Sequence, residues 1–449
     1  MKRLFPHPLR SALLAAALAV ALAAGSVSAE DLMQVYREAQ KSDPALAAAR
    51  AGWEATQERV PQARAALLPN VGLSGSANIN NSDITVRSSP SVNTNRSFGT
   101  GGLTFSASQP LYRLQNVVAL GQAREQVTQA DYTLAIAQQD LIIRTAVAYF
   151  DVLLAEFNIE LVEQQKRATI EQLAQAKRNF EVGTATITDT NEAQARFDQI
   201  NASEIQFIND LDRRRTALRA IIGRFPSNLK RVKAFEPTPP NPNSLDFWVD
   251  TAARDNLSVR VQQANVEIAT LEIDRARAGH YPTLDLVSSV GGQASSGNSS
   301  TGFSSDARSV LLGLQLNVPL YQGGFVNSRV RESIALLDRS RADLETTRRA
   351  AITNAQDGFS GVNSAVASVR AFEQAAISAD VALQSNILGQ EVGIRTNLDV
   401  LNVRQNVYQA RRDVANAYFT YLLATLRLKA ATGNLNETDL EELNRRLAD

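Results

Sequence analysis

Residues 181–192 read EVGTATITDTNE, and residues 391–402 read EVGIRTNLDVLN. Each stretch holds Glu-Val-Gly, a Thr three positions after the Gly, and an Asp three positions after that Thr. Gly183 and Gly393 permit a tight backbone reversal. Thr184, Thr186 and Thr188 in the first copy, or Thr396 and Asn397 in the second, can cap the free amides of a returning helix. Asp189 and Asp399 are acids in the first turn of that helix, where its dipole favours them. The phrase reads as the turn of a helical hairpin, written twice.

A larger duplication surrounds it. Ala63-Arg64-Ala65 through Pro69 matches Ala276-Arg277-Ala278 through Pro282, and Pro110-Leu111-Tyr112 matches Pro319-Leu320-Tyr321. Gly223 matches Gly433 at the same offset of 210 that relates the two tips. Two copies of one unit fall short of the three or more repeats of a solenoid. Between them Pro226, Pro237, Pro239, Pro240 and Pro242 mark an irregular connection over 226–247. The expected organisation is therefore a first repeat over 30–225 and a second over 248–433, followed by a C-terminal segment, 434–449.

Within each repeat the periodicity changes in the same order. Val310, Leu312, Leu314, Leu316 and Val318 alternate with Leu311, Gly313, Gln315 and Asn317, which is the pattern of a strand with one apolar face. Strands are expected at about 70–80, 97–109, 283–292 and 310–318. The polar stretches 80–102 and 291–309 suit solvent-facing loops. From about 113 to 181, and from about 326 to 391, Gly and Pro nearly vanish. There Leu134, Ala137, Leu141, Thr145, Ala148, Val152, Ala155, Ile159 and Val162 form a heptad-like seam with small residues. Each stretch would be roughly 100 Å long as one helix.

Composition narrows the function. Lys2, Arg3 and Arg10, the apolar run Leu13–Ala24 and the small residues Val27-Ser28-Ala29 read as a secretory signal over 1–29. The chain has no cysteine, so disulfides and thiolate chemistry are excluded. His280 is the one histidine beyond the signal, and GxSxG, GxxxxGK[ST] and HExxH patterns are absent. No cofactor or metal is expected. Lys+Arg and Asp+Glu balance at 46 each, which gives no basic surface for nucleic acid.

Strands of nine to eleven residues match a tilted membrane strand. Four strands cannot close a barrel, and an open edge in lipid leaves backbone groups unpaired. Two chains would supply eight strands and three would supply twelve. A non-conducting scaffold, with a four-stranded sheet capped by coiled coils, is the alternative.

Further motifs are Asp31–Tyr36 (DLMQVY), Leu68-Pro69, Thr145–Phe150 (TAVAYF), Gly279–Leu284 (GHYPTL) and Pro319–Gly324 (PLYQGG). Together with the two tips, they make the chain resemble the TolC family of outer-membrane efflux proteins, on its unlipidated branch. The resemblance implies a mixed α/β membrane protein. Three chains would form a 12-stranded outer-membrane β-barrel, four strands each, continuous with a long periplasmic α-helical barrel. The homotrimer would meet outer-membrane lipid, a periplasmic adaptor protein and an inner-membrane RND, ABC or MFS transporter. It would act as a passive duct for efflux or type I secretion.

The resemblance also implies roles at the tips. Val182, Gly183, Val392 and Gly393 would meet the adaptor. Asp399 would form an acidic ring at the pore constriction, with mutual repulsion raising the carboxyl pKa. Asn402, at i+3, shares its helix face and replaces a second acid, so cation selectivity should be weaker. Arg395 would hold the mouth shut by bonding Thr188 and Asp189 of a neighbouring hairpin. Gln390 and Arg178 depart from the residue types usual in the family, so this network should be wired differently.

Overall fold

Leu73, Phe105, Val290 and Val310 form one rung across four strands in the computed structural model, each directly opposite the next. The structure describes residues 29–87, 92–233, 235–297 and 303–445. The expected secretory signal lies outside the described residues except for Ala29. The strands are β1 (Asn70–Val86), β2 (Val92–Tyr112), β3 (Thr283–Ser295) and β4 (Ser305–Asn317), joined antiparallel in the order β1-β2-β3-β4. Residues directly opposite share a face. Registers therefore align Gln109, Leu286 and Leu314 on the face of that rung, with Tyr112, Leu284 and Leu316 below them. The other face carries Ser74, Thr104, Gly291 and Ser309 in a single rung. The apolar face lies open, with Leu312 74% exposed and Val310 79% exposed.

A bulge at Leu111 refines this face. The register shifts between Pro110 and Tyr112, so that Pro110 opposes Asp285 and Tyr112 opposes Leu284. One extra residue reverses the alternation and turns the Tyr112 ring onto the apolar side. Among the described residues neither β1 nor β4 has a partner on its outer edge.

The strands outrun the lengths expected of them. Residues 81–86 and 92–96, expected as loop, are paired strand up to Val86 opposite Val92. In the second repeat β3 continues to Ser295 and β4 begins at Ser305. Ladder bonds are made by backbone, so a hairpin with polar side chains on both faces pairs without any period-two signal.

The chain divides into two compact units. One holds the described parts of 50–134 and 257–349, and the other those of 1–49, 135–256 and 350–449. The first unit contains the sheet and most of α2 (Pro44–Gln57), followed by α3 (Arg59–Ala65) and α7 (Leu257–Arg277). At the base of its sheet the Arg113 guanidinium donates to both Asp285 oxygens, at 2.9 and 2.6 Å.

The second unit is helical. It contains α1 (Leu32–Ser42), α5 (Ile187–Ile222), α6 (Leu245–Asp255), α9 (Asn397–Ala431) and α10 (Glu437–Asn444). Helices α4 (Leu114–Glu181) and α8 (Phe325–Glu391) contribute residues to both units. The seam expected on α4 is buried where it enters this unit, at Leu141, Thr145, Ala148, Val152, Ala155 and Val162. Its small members let neighbouring helices approach. Among the described residues no helix is long and apolar enough to cross a membrane.

The Pro-rich connection runs across this unit as a strap. The buried Tyr149 hydroxyl is placed to donate to the Lys230 carbonyl at 2.8 Å or the Glu30 carbonyl at 3.1 Å. Glu30 pairs in parallel with Leu229. Further on, the Tyr421 hydroxyl meets the Thr238 carbonyl at 3.0 Å, and the Phe235 ring packs edge-on against Tyr418.

Candidate functional site at the two hairpin turns

Both hairpins turn by the same backbone chemistry. After α4, Gly183 adopts φ 76°; its N–H donates to the Phe180 carbonyl at 3.0 Å and the Thr184 N–H to the Asn179 carbonyl at 2.8 Å. After α8, Gly393 adopts φ 80°; its N–H donates to Gln390 at 3.1 Å and the Ile394 N–H to Gly389 at 2.9 Å. This pair of bonds is a Schellman ending, which satisfies orphan carbonyls and demands a left-handed residue, hence glycine.

Three residues after its glycine each returning helix is capped. The Thr186 hydroxyl accepts the Asp189 N–H, and the Asp189 carboxylate accepts the Thr186 N–H at 2.9 Å. Thr396 and Asp399 form the same reciprocal box. Each component of Gly-x-x-Thr-x-x-Asp thus has a local function: glycine for the left-handed turn, threonine for the N-cap, aspartate for the box.

Within one chain the cap biases the Asp399 carboxyl downward. The Thr396 N–H, then the Thr396 hydroxyl, hold its carboxyl below the ordinary carboxylate range, and Arg395 acts in the same sense against a small desolvation. Repulsion around a ring would work against this bias.

Arg395 lies across its own turn. A Cβ at Gly389 would approach the Arg395 Cγ to 2.7 Å, so the glycine leaves room for the arginine stem. The first tip has Asn179 and Ala185 at the matching positions. Among the described residues of one chain Arg395 makes no hydrogen bond to Thr188 or Asp189, and Thr188 is exposed. Gln390 reaches Asn397 with Nε2–Oδ1 at 3.5 Å. Arg178 is exposed, and its carbonyl accepts the Val182 N–H at 3.2 Å. Val182 and Ile187 at one turn, and Val392, Ile394 and Leu398 at the other, expose apolar side chains.

Asn402 has a partner that sequence reasoning missed. The Arg196 guanidinium on α5 donates to Asn402 Oδ1 at 2.9 Å and to Gln405 Oε1 at 2.5 Å, tying α5 to α9. The two sides are more than 200 residues apart, and no local pattern announces the pairing. Leu173, Ala176 and Ala193, with Phe197 against them, pack the first hairpin behind its turn.

A sheet with one apolar face and two unclosed edges, joined in one chain to two long hairpins with matching turns, defines a protomer of a shared membrane β-barrel with helical extensions. The outer membrane efflux protein family matches residues 35–224 and again 248–434, so the chain belongs to that family and carries its unit twice. It is 34% identical over 450 residues to outer membrane protein TolC of Vibrio cholerae, covering 99% of this chain and 98% of that one. It is 32% identical to the proteases secretion protein PrtF of Dickeya chrysanthemi, covering 94% and 92%. In fold it is similar to the outer membrane protein VceC of Vibrio cholerae, with a TM-score of 0.72, 20% identity and coverage of 90% and 96%.

Proposed function

We propose that three copies of this chain form an outer-membrane exit duct that serves efflux pumps or type I secretion. The observation that carries this reading is the four-stranded sheet, apolar on one face and unpaired at both edges. In lipid such edges must be closed, and closure needs further copies. Twelve strands from three chains make a closed barrel, and Tyr112, re-aimed by the Leu111 bulge, gives it an interfacial aromatic. The long helices would extend the tube on the periplasmic side, with both turns at its mouth.

The duct is passive. Asp399 and Asn402 would line the constriction, and Arg395 would latch it through Thr188 and Asp189 of a neighbouring hairpin, with Arg178 and Gln390 beside them. Val182-Gly183 and Val392-Gly393 would receive a periplasmic adaptor. Exposed valines beside a rigid turn offer the small apolar anchors such docking uses. An inner-membrane RND, ABC or MFS transporter would supply the energy. The relative named for protease secretion supports polypeptide cargo, and the family's description as efflux proteins supports outward transport.

Planar-bilayer recording of the purified protein tests this. The expected result is ion conductance that rises when Arg395→Ser or Asp399→Ala loosens the mouth. A protein that inserts but never conducts, with or without these changes, would return the scaffold reading.

A further inference from the structure

We propose that Arg196 is a specificity-determining residue of the entrance, where its uncompensated positive charge offsets the negative charge of Asp399. This rests on the reading that Asp399 lines the ion path. Arg196 is held by three neutral amides. Nη2 donates to Asn402 Oδ1 at 2.9 Å, and Nη1 donates to Gln405 Oε1 at 2.5 Å and to Gln199 Oε1 at 3.0 Å. Among the described residues it has no ion pair with a carboxylate. Amide oxygens orient a guanidinium firmly but leave its charge in place.

The placement is specific. Asn402 follows Asp399 by three positions on α9 and neighbours it on the helix surface, while Gln405, three further on, lies one step further round the helix. The guanidinium is therefore held roughly one to two helical turns along from the carboxylate, a separation on the order of the Debye length of roughly 8 Å at physiological salt. An acid at 402 would have neutralised Arg196 by a direct ion pair; asparagine positions it and does not. Each chain then adds a positive charge at Arg196 to those of Arg395 and Arg178, against the acids Asp399 and Asp189, and a three-fold axis repeats that offset three times. Such an entrance admits anionic cargo that a purely acidic ring would repel.

Reversal potentials in a salt gradient, read with and without a divalent cation on the helical side, test the inference. The wild type should discriminate weakly between K⁺ and Cl⁻. Arg196→Gln, which keeps an amide for the same neighbours, should raise the cation-to-anion permeability ratio about two- to five-fold and add divalent block. Arg196→Lys should keep wild-type selectivity, and Asp399→Asn should shift the ratio toward anions. Unchanged selectivity in Arg196→Gln while Asp399→Asn shifts would overturn the inference and leave the duct standing. A larger unitary conductance in Arg196→Gln with the wild-type ratio would overturn it too, since Arg196 would then act only as a clasp. If neither variant shifts, the role given to Asp399 falls and the inference with it. Absence of conductance in every form overturns the duct itself.

Discussion

The N–H of Thr396 donates to the Asp399 carboxylate at 2.9 Å, and the Asp399 N–H donates back to the Thr396 hydroxyl at 3.2 Å. Thr186 and Asp189 repeat both distances in the other hairpin. The acid expected at the constriction is therefore also the N3 member of a capping box. Its orientation is set by the backbone of its own turn.

That double role gives the second tip a defined pH response. The folded carboxyl of Asp399 is depressed, so its stabilisation is complete above the unfolded value of about 3.9. It is lost as pH falls through the folded value. Hydrogen exchange at the start of α9, corrected for intrinsic rates, should show steady protection between pH 8 and 5 and opening below about pH 4. Thr396→Val should fray the same turn at every pH.

Gly393→Ala and Gly183→Ala should each cost about 1 kcal/mol. No atom lies within 4 Å of either position, so the cost is backbone conformation alone. Gly389→Ala should behave differently. It gains helix propensity of up to about 1 kcal/mol but pushes the Arg395 stem aside. Exchange at the tip should slow while bilayer conductance changes.

The glycines that end the two hairpins should not be equivalent. Gly223 has φ 79° and only Ser42 near its missing Cβ, at 3.3 Å, whereas Gly433 has φ 78° and a Cβ there would lie 2.3 Å from the Asp255 carbonyl oxygen. Gly223→Ala should cost about 1–2 kcal/mol, and Gly433→Ala more than about 3 kcal/mol because backbone must move. Thermal unfolding of the two variants should keep that order.

Asp43 joins a helix cap to an ion pair. Its carboxylate accepts the Leu46 N–H at 2.7 Å and two Arg144 N–H groups at 2.8 and 3.1 Å, with 4% of the side chain exposed. The Arg144 guanidinium holds the carboxyl below its ordinary value, against burial. The contribution is therefore present above the unfolded carboxylate value and lost as pH falls through the folded one. Asp43→Ala should destabilise by about 2–4 kcal/mol and remove part of the acid-induced loss of stability in denaturant titrations.

Leu312→Arg and Leu311→Arg should separate the two faces of β4. Leu312 opposes Ser288 on the apolar face and Leu311 opposes Ser289 on the polar one. Refolding into lipid vesicles should lose about 2–4 kcal/mol for Leu312→Arg at mid-membrane and little for Leu311→Arg.

Much of this molecule was legible before its coordinates. Gly183, Thr186 and Asp189 act within seven residues of one another, so their bonds follow from chain geometry that a motif displays directly. The β4 alternation was equally plain, because one face is apolar. The upper β1–β2 hairpin was not: over 81–86 and 92–96 polar residues dominate without a period-two pattern, and only pairing makes strand of them. At the second turn, the placement of Asp399 beside Thr396 could be read from spacing, whereas its depressed carboxyl depended on the bonds themselves.

What the sequence determined by itself was the duplication, legible as repeated text, and three local features: the alternation of β4, the helical seam and the chemistry of both turns. Those local features depend on residues within a few turns of each other. Tertiary structure alone decided which residues far apart in the chain meet. It set Gly433 against Asp255, turned Tyr112 to the apolar face through a bulge, and laid Arg196 on Asn402 and Gln405. Such contacts depend on the register between packed elements, which long-range fit selects and no short span of residues encodes.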